Sequence, residues 1–250
     1  MKNKITFFVL ITVASLFFCD LNAQSWEIKK GETLTYKVAF SSGLTGSVKG
    51  GEATLSIKSS TARIGNNTVY QTSLKGGTSG LIEWFYQVSN NYESFIDTQT
   101  NAPVMYRQTV KENKYTNTDT VFFNQSAKIA TYKNKKIAIP NNTHDFVSMI
   151  YYVRTLDMSK LKKGDNFVIP FFTSDKVINS KVIYNGVENI RANSKTTTCY
   201  AFKPMVGKGK VFNQDYPATI WISADSNRLP VLIEARMKVG KVKMELTGKN

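Results

Sequence analysis

The sequence predicts a mainly β protein: two similar, twisted antiparallel half-barrel sheets, each left open, with a connecting helix near 143–157. Three observations carry this. Apolar and polar residues alternate along several stretches, turn-forming residues separate many of them, and two short signals recur in the same order along the chain. A period of two gives one buried and one wetted face, as in antiparallel sheet.

Met1 to Ala23 reads as a secretory signal. Lys2 and Lys4 open it, Ile5 to Phe18 is apolar apart from Thr6, Thr12 and Ser15, and Leu21-Asn22-Ala23 places a small residue before the cut. The run is shorter than the roughly 20 apolar residues that span a bilayer. Phe17-Phe18 stand before Cys19 where a lipobox needs small residues, which argues against lipidation there. The expected location is therefore exported, in the periplasm or associated with the outer membrane. Beyond the signal Cys199 is the remaining cysteine, so no disulfide is expected within the mature chain.

The first strand follows directly. Leu34, Tyr36, Val38 and Phe40 alternate against Thr33, Thr35 and Lys37, and Ala53, Leu55 and Ile57 alternate against Glu52, Thr54, Ser56 and Lys58. Gly50-Gly51, Gly65-Asn66-Asn67, Gly76-Gly77, Asn185-Gly186 and Asp225-Ser226-Asn227 read as separators with turn chemistry. Pro103 and Pro230 stand where strands begin, a position at which the missing N–H costs little. A short helix is expected around Leu81 to Phe85.

The longer helix is read from Asn142 or Thr143 as a cap, Asp145 in the first turn, and Phe146, Val147, Ile150, Tyr151, Val153 and Arg154 at helical spacing. Met149, Tyr152 and Leu156 widen its apolar face, so it should pack into a concave sheet. Past it, Val231, Ile233, Ala235, Met237 and Val239 alternate, then Val242, Met244 and Leu246.

Two signals suggest an internal duplication. Lys29-Lys30-Gly31-Glu32 before an extended run matches Lys162-Lys163-Gly164-Asp165 before another; the Ile96-to-Val104 stretch with Pro103 matches Ile222 to Val231 with Pro230. The copies would run from about 26–111 and 158–250. The expected organisation is a signal peptide at 1–23, an N-terminal β half at 24–142, the connecting helix at 143–157 and a C-terminal β half at 158–250, the halves being separate or one continuous domain.

Composition limits the chemistry. The 250 residues are 42% hydrophobic and 20% charged, enough apolar material for a packed core and too little charge for a disordered chain. One histidine, His144, and two cysteines leave no zinc ribbon, disulfide scaffold or two-histidine mechanism. Phosphate-binding loops, metalloprotease helices, nucleophile elbows and calcium loops have no match, so no catalytic residues, metal ligands or cofactor are assigned. Glu83, Glu93 and Asp97 are the acids lying among aromatics and the pair candidates for a glycosidase; salt bridges and wetted strand faces are the simpler reading. His144 reads as a capping or solvated residue, and Cys199 as a small buried one facing with Ala201.

Lys plus Arg number 33 against 18 Asp plus Glu, for a net charge of +15. Most lysines read as solvated. Export argues against nucleic acid as the partner for that charge and makes an anionic membrane surface a suitable one. The 15 Phe, 12 Tyr and 3 Trp supply a β core and, where a curved sheet stays uncovered, an apolar groove. Trp84, Tyr86, Phe146, Tyr151, Tyr152 and Trp221 are the candidate ligand-binding residues.

The stretches Gly31 to Val38, Gly51 to Leu55, Tyr92 to Asp97, Tyr151 to Arg154 and Trp221 to Asp225 with Leu229-Pro230-Val231 resemble an exported bacterial family of unknown function, DUF3108, over nearly the whole mature chain. The family has no assigned catalytic residues to carry over. The Trp221 to Val231 hairpin is also similar to hairpins of LolA/LolB-type lipoprotein carriers, whose half-barrels hold acyl chains; this implies function by analogy alone. The expected function is a non-catalytic cell-envelope protein binding or presenting an apolar or acylated molecule (lipid, lipopolysaccharide or lipoprotein) in a concave β surface. The alternatives are an envelope polysaccharide hydrolase using scattered carboxylates, or a scaffold whose free strand edges pair with a protein partner.

Overall fold

The computed structural model describes residues 26–250, apart from 43–45, 81–82, 85, 174, 207, 209–211 and 239. The expected signal peptide and Cys19 lie outside the described residues, as does most of the short helix expected at Leu81 to Phe85, of which Glu83 and Trp84 are described and helical.

Alternation has its expected outcome in a single antiparallel sheet. Its strands are β1 (Thr33–Ser42), β2 (Gly46–Ile57), β3 (Ala62–Ile64), β4 (Asn67–Thr78), β5 (Ser89–Asp97), β6 (Pro103–Glu112), β7 (Tyr115–Asn124), β8 (Ile129–Tyr132), β9 (Lys135–Ala138), β10 (Asn166–Thr173), β11 (Lys176–Ala192), β12 (Lys195–Pro204), β13 (Ala218–Ser223), β14 (Pro230–Met237) and β15 (Gly240–Lys249). Spatial order runs β10 to β15, then β1, β2, β4 and onward to β9, with β3 beside β4. The two expected half-sheets are thus joined in one: β1 pairs with β15, Val38 facing Met244 and Phe40 facing Val242. The sheet stays open, with β10 and β9 at its ends.

Each half opens on the same local bonds. In the first, the Gly31 amide donates to Ile57 O (3.1 Å) and the Ile57 amide to Glu32 O (2.9 Å); in the second, the Gly164 amide donates to Tyr184 O and the Tyr184 amide to Asp165 O, both 2.8 Å. Gly31 and Gly164 sit at φ +83° and +97°, where a side chain is disfavoured. The later turns match as well. Asp97 N donates to Ala102 O (2.9 Å) and Thr98 N to Thr68 O (3.0 Å), while Ser223 N donates to Leu229 O (2.8 Å) and Ala224 N to Thr198 O (2.9 Å). Pro103 and Pro230 open β6 and β14, as their ring chemistry predicts.

Three glycine separators are not turns. Gly50-Gly51 and Gly76-Gly77 lie inside β2 and β4, where a Cβ on Gly51 would stand 1.9 Å from Gly77 O. These glycines let two backbones approach, a role that sequence alone does not separate from a turn. Asn185-Gly186 lies within β11 at a register shift between Tyr184 and Gly186.

Helix α1 (Phe146–Thr155) crosses both halves. Its cap is Asp145 rather than Asn142 or Thr143: the Asp145 carboxylate accepts from the Val147 and Ser148 amides, and Ser148 Oγ accepts from the Asp145 amide. Val147, Ile150 and Tyr151 enter the core of the N-terminal half with Leu34, Tyr36, Leu55 and Phe123. Val153, with Met149, Tyr152 and Leu156, packs on Val182, Tyr184, Phe202 and Ile222 of the C-terminal half.

The helix is also tied by charge. Arg154, fully buried, binds Glu32 through two bonds of 2.7 and 2.9 Å, with the Trp26 ring 3.9 Å from its guanidinium carbon. It reaches across to Asn227 O of the C-terminal half (3.2 Å). Arg228 Nη1 answers by donating to the carbonyls of Arg154 and Leu156 at the helix end.

Candidate functional site

The site is built from cross-strand rows. Tyr92, Gln108 and Asp119 stand opposite one another on β5, β6 and β7; Tyr106, Val121 and Tyr132 do so on β6, β7 and β8. Opposed residues in an antiparallel ladder share a face, so both rows point into the concavity. Facing them are Phe171, Phe172 and Thr173 at the end of β10 and Phe146 at the start of α1. Together they enclose a cleft of about 260 Å³. Edge-to-face contacts fix its walls: Tyr92 on Phe146 (5.6 Å between ring centres) and Tyr132 on Phe172 (6.1 Å).

His144 holds the far wall in place. Its amide donates to Pro170 O and its carbonyl accepts from Phe172 N, both at 2.8 Å, so this residue covers part of the β10 edge. The expectation of a capping or solvated His144 is therefore corrected: the ring is 1% exposed and lies 4.5 Å from Tyr152. Nδ1 is 3.3 Å from Ser148 Oγ, and burial pushes the imidazole down to about 4. Next to it Asp145, fully buried, is pushed up to about 6 by burial despite hydrogen bonds from Ser94 (2.6 Å), Ser148 and Val147.

The polar rim of the cleft is occupied by its own bonds. Tyr106 Oη donates to Gln108 Oε1 (3.2 Å), Gln108 Nε2 to Asp119 Oδ2 (3.4 Å) and Asn117 Nδ2 to the same oxygen (2.6 Å). Lys133 Nζ lies 3.1 Å from Asp119 Oδ1 and 5.0 Å from the Tyr132 ring centre. Burial alone would raise the Asp119 carboxyl, but bonds from Asn117, Lys133 and Tyr132 hold it below the ordinary range. Burial raises the Tyr106 hydroxyl well above its usual value. What remains unengaged is the apolar wall, so the arrangement suits binding of an apolar group.

Of the aromatics chosen from sequence, Phe146 lines this cleft. Trp84 is 89% exposed in the β4–β5 connection, and Tyr86 beside it donates to Glu112 (3.1 Å). Tyr151 is buried in the core against Arg154, and the Tyr152 ring is tilted against that of His144. Trp221 lies elsewhere, on a groove of the C-terminal half. The structure does not gather the six at one place. Tyr92, Tyr106, Tyr132, Phe171 and Phe172 escaped the sequence reading; the available signal was the alternation that puts Tyr92 with Ser94, and Tyr106 with Gln108, on one strand face.

Two of the three carboxylates considered for hydrolysis are already engaged. Arg107 Nη2 pairs with Glu93 at 2.7 Å, Asp97 caps its own turn through Gln99 and Thr100, and Glu83 is exposed. Four residues apart on β5, Glu93 and Asp97 stand about 13 Å from each other, beyond the separation of paired glycosidase acids. Cys199 is buried and free, and burial raises its thiol to about 11. Among the described residues no cluster of His, Cys, Asp and Glu is placed to hold a metal ion, and no helix is long and apolar enough to cross a membrane.

The chain belongs to the family "Protein of unknown function (DUF3108)", whose model matches residues 35–247. No curated protein matches it. Among solved structures it is similar to a beta-barrel-like protein of domain of unknown function DUF1849 from Brucella abortus, with a TM-score of 0.58 at 9% identity, covering 90% of this chain and 98% of that one. A DUF1089 family protein from Pseudomonas aeruginosa aligns with a TM-score of 0.43 at 9% identity, over 76% of this chain and 91% of that one. At such identity the first likeness bears on the fold alone, and it agrees with a large open antiparallel sheet.

Proposed function

We propose that this member of the family is an exported, non-catalytic envelope protein that binds or presents the apolar or acylated part of an envelope molecule (a lipid, lipopolysaccharide or lipoprotein). The observation that carries the reading is the cleft between β5–β8 and the end of β10, walled by Tyr92, Tyr106, Tyr132, Phe146, Phe171 and Phe172. Its volume of about 260 Å³ is slightly below the roughly 300–1,000 Å³ of sites that enclose a whole drug-sized ligand. It therefore takes a segment, such as the end of an acyl chain, and leaves a headgroup in water. Export rests on the Met1 to Ala23 leader, and the net charge of +15 favours approach to anionic membrane surfaces, at about 1 kcal/mol per near-surface lysine before screening.

Displacement of a fluorescent fatty acid by dodecanoate on the mature protein tests this. Saturable micromolar binding is expected, weakened about tenfold by Phe171→Ala, which removes one wall. Thr173→Trp, which puts an indole into the lining, should abolish it. Absence of saturation at micromolar concentrations, or full binding by Thr173→Trp, contradicts the reading.

A further inference from the structure

The C-terminal half carries a second concave surface, a groove of about 830 Å³ over β11–β14. It is lined on β11 by both strand faces: Glu188 and Ile190 on the face of Trp221, Asn189 and Arg191 on the other. Its floor is set by residue size. Trp221 on β13 stands opposite Ala201 on β12, and Ala201 stands opposite Gly186 on β11. With nothing bulky along that row, the indole and the Glu188 side chain of β11 meet over β12, Nε1 donating to Glu188 Oε2 at 2.8 Å. With neighbouring strands about 4.8 Å apart, the indole and the Glu188 side chain together bridge the gap over β12, which inclines both toward the sheet. Trp221 packs against the buried cluster of Ala192, Cys199 and Val231 and lines the groove. Asn185 Nδ2 donates to Glu188 Oε1 (2.7 Å), which locks the carboxylate that locks the indole.

Around this flat aromatic floor stand Arg191, Lys203 and Arg236. None of the three has a carboxylate partner among the described residues, and Glu234 is paired with Lys241 (3.3 Å). Glu188, bonded to the neutral Trp221 and Asn185 side chains, keeps its charge, so three unpaired cations stand against one anion. The uncompensated charge of the groove is positive. A fixed indole face with guanidinium groups at its margin matches a pyranose ring bearing an acidic group. The apolar C–H face of the sugar stacks on the indole, the hydroxyls meet planar polar side chains such as Gln214, and the acid takes a bidentate guanidinium.

We infer that the groove floored by Trp221 and edged by Arg191, Lys203 and Arg236 is a binding site for an acidic saccharide, separate from the aromatic cleft of the N-terminal half. Its test uses the mature protein with hexagalacturonate as probe, maltohexaose as the neutral counterpart and polyaspartate as a polyanion without sugar rings, read by tryptophan fluorescence and calorimetry. Saturable micromolar binding of hexagalacturonate is expected, at least tenfold tighter than either comparison ligand. Arg191→Gln and Arg236→Gln should each weaken it about tenfold with the melting temperature unchanged. Trp221→Phe should remove the fluorescence response and weaken binding; should that variant fail to fold, the two arginine variants still decide the matter. Absence of hexagalacturonate binding below millimolar, equal binding of polyaspartate, or insensitivity to both arginine substitutions overturns the proposal. Dodecanoate should not compete, so failure here and failure of the cleft are separately visible.

Discussion

Lys29-Lys30-Gly31-Glu32 and Lys162-Lys163-Gly164-Asp165 make the same backbone bonds and use their acids differently. Asp165 is exposed and accepts from the Lys162 amide within its own turn (2.8 Å). Glu32, one methylene longer, turns inward and takes the buried Arg154 of α1 in a two-bond pair. The helix packs apolar residues on both halves and makes polar bonds to both, but the buried charge pair, Arg154 with Glu32, and the buried Asp145 to Ser94 bond lie on the N-terminal side. The bonds to the C-terminal half, from Arg154 to Asn227 O and from Arg228 to the Arg154 and Leu156 carbonyls, involve backbone oxygens beside the cluster of Val153, Ile169, Val182 and Phe202. Apolar contact is tolerant of sliding; a buried bidentate pair is not. The buried charge pair therefore sets where the helix sits, and with it Phe146 at the cleft, while apolar packing on both halves supplies adhesion.

Breaking the polar side has the largest expected effect. Arg154→Met strands the Glu32 carboxylate in the core and should cost about 3–5 kcal/mol in urea unfolding, whereas the double variant Glu32→Leu/Arg154→Met should recover a large part. A double variant as unstable as the single one would mean that packing around Trp26, not the charge pair, carries the effect.

The pair at the other helix end sharpens the comparison through pH. His144 titrates at about 4 in the fold, below its ordinary 6.5, so its contribution is full above pH 6.5 and lost as pH falls toward 4. Asp145 titrates at about 6, above 3.8, so its contribution is full below pH 3.8 and lost as pH rises through 6. The two run in opposite directions and leave stability nearly flat across that window. Asp145→Asn removes one of them, and its stability should fall by about 3 kcal/mol between pH 7 and pH 4. An equally flat profile in that variant would show that the two sites do not offset each other.

Smaller effects belong to the C-terminal half. Ile169→Val should cost about 0.5–1.5 kcal/mol through lost burial. Asp165→Ala should cost no more than about 1 kcal/mol, since an exposed turn bond is lost to water. A cost for Asp165→Ala comparable to that of Arg154→Met would erase the asymmetry.

Much of the frame was legible because it is local. Leu34 and Tyr36 alternate into the core as expected, Pro103 and Pro230 open their strands, and Phe146 to Thr155 is helical. The cleft was not legible, because its residues come from five strands and a helix, and only register decides that Tyr92, Gln108 and Asp119 stand in one row. Gly50-Gly51 misled because a glycine pair serves a turn and a close strand crossing equally. His144 misled because its burial follows from pairing with β10, a segment about 27 positions away whose approach no local pattern announces.

The cleft is tested most directly by nuclear Overhauser contacts between ¹³C-labelled dodecanoate and the mature protein. The acyl methyl and its neighbouring methylenes should contact the rings of Tyr92, Tyr106, Tyr132 and Phe171. Contacts confined to Trp221 or Trp84, or none from a ligand shown to be bound, would contradict the account.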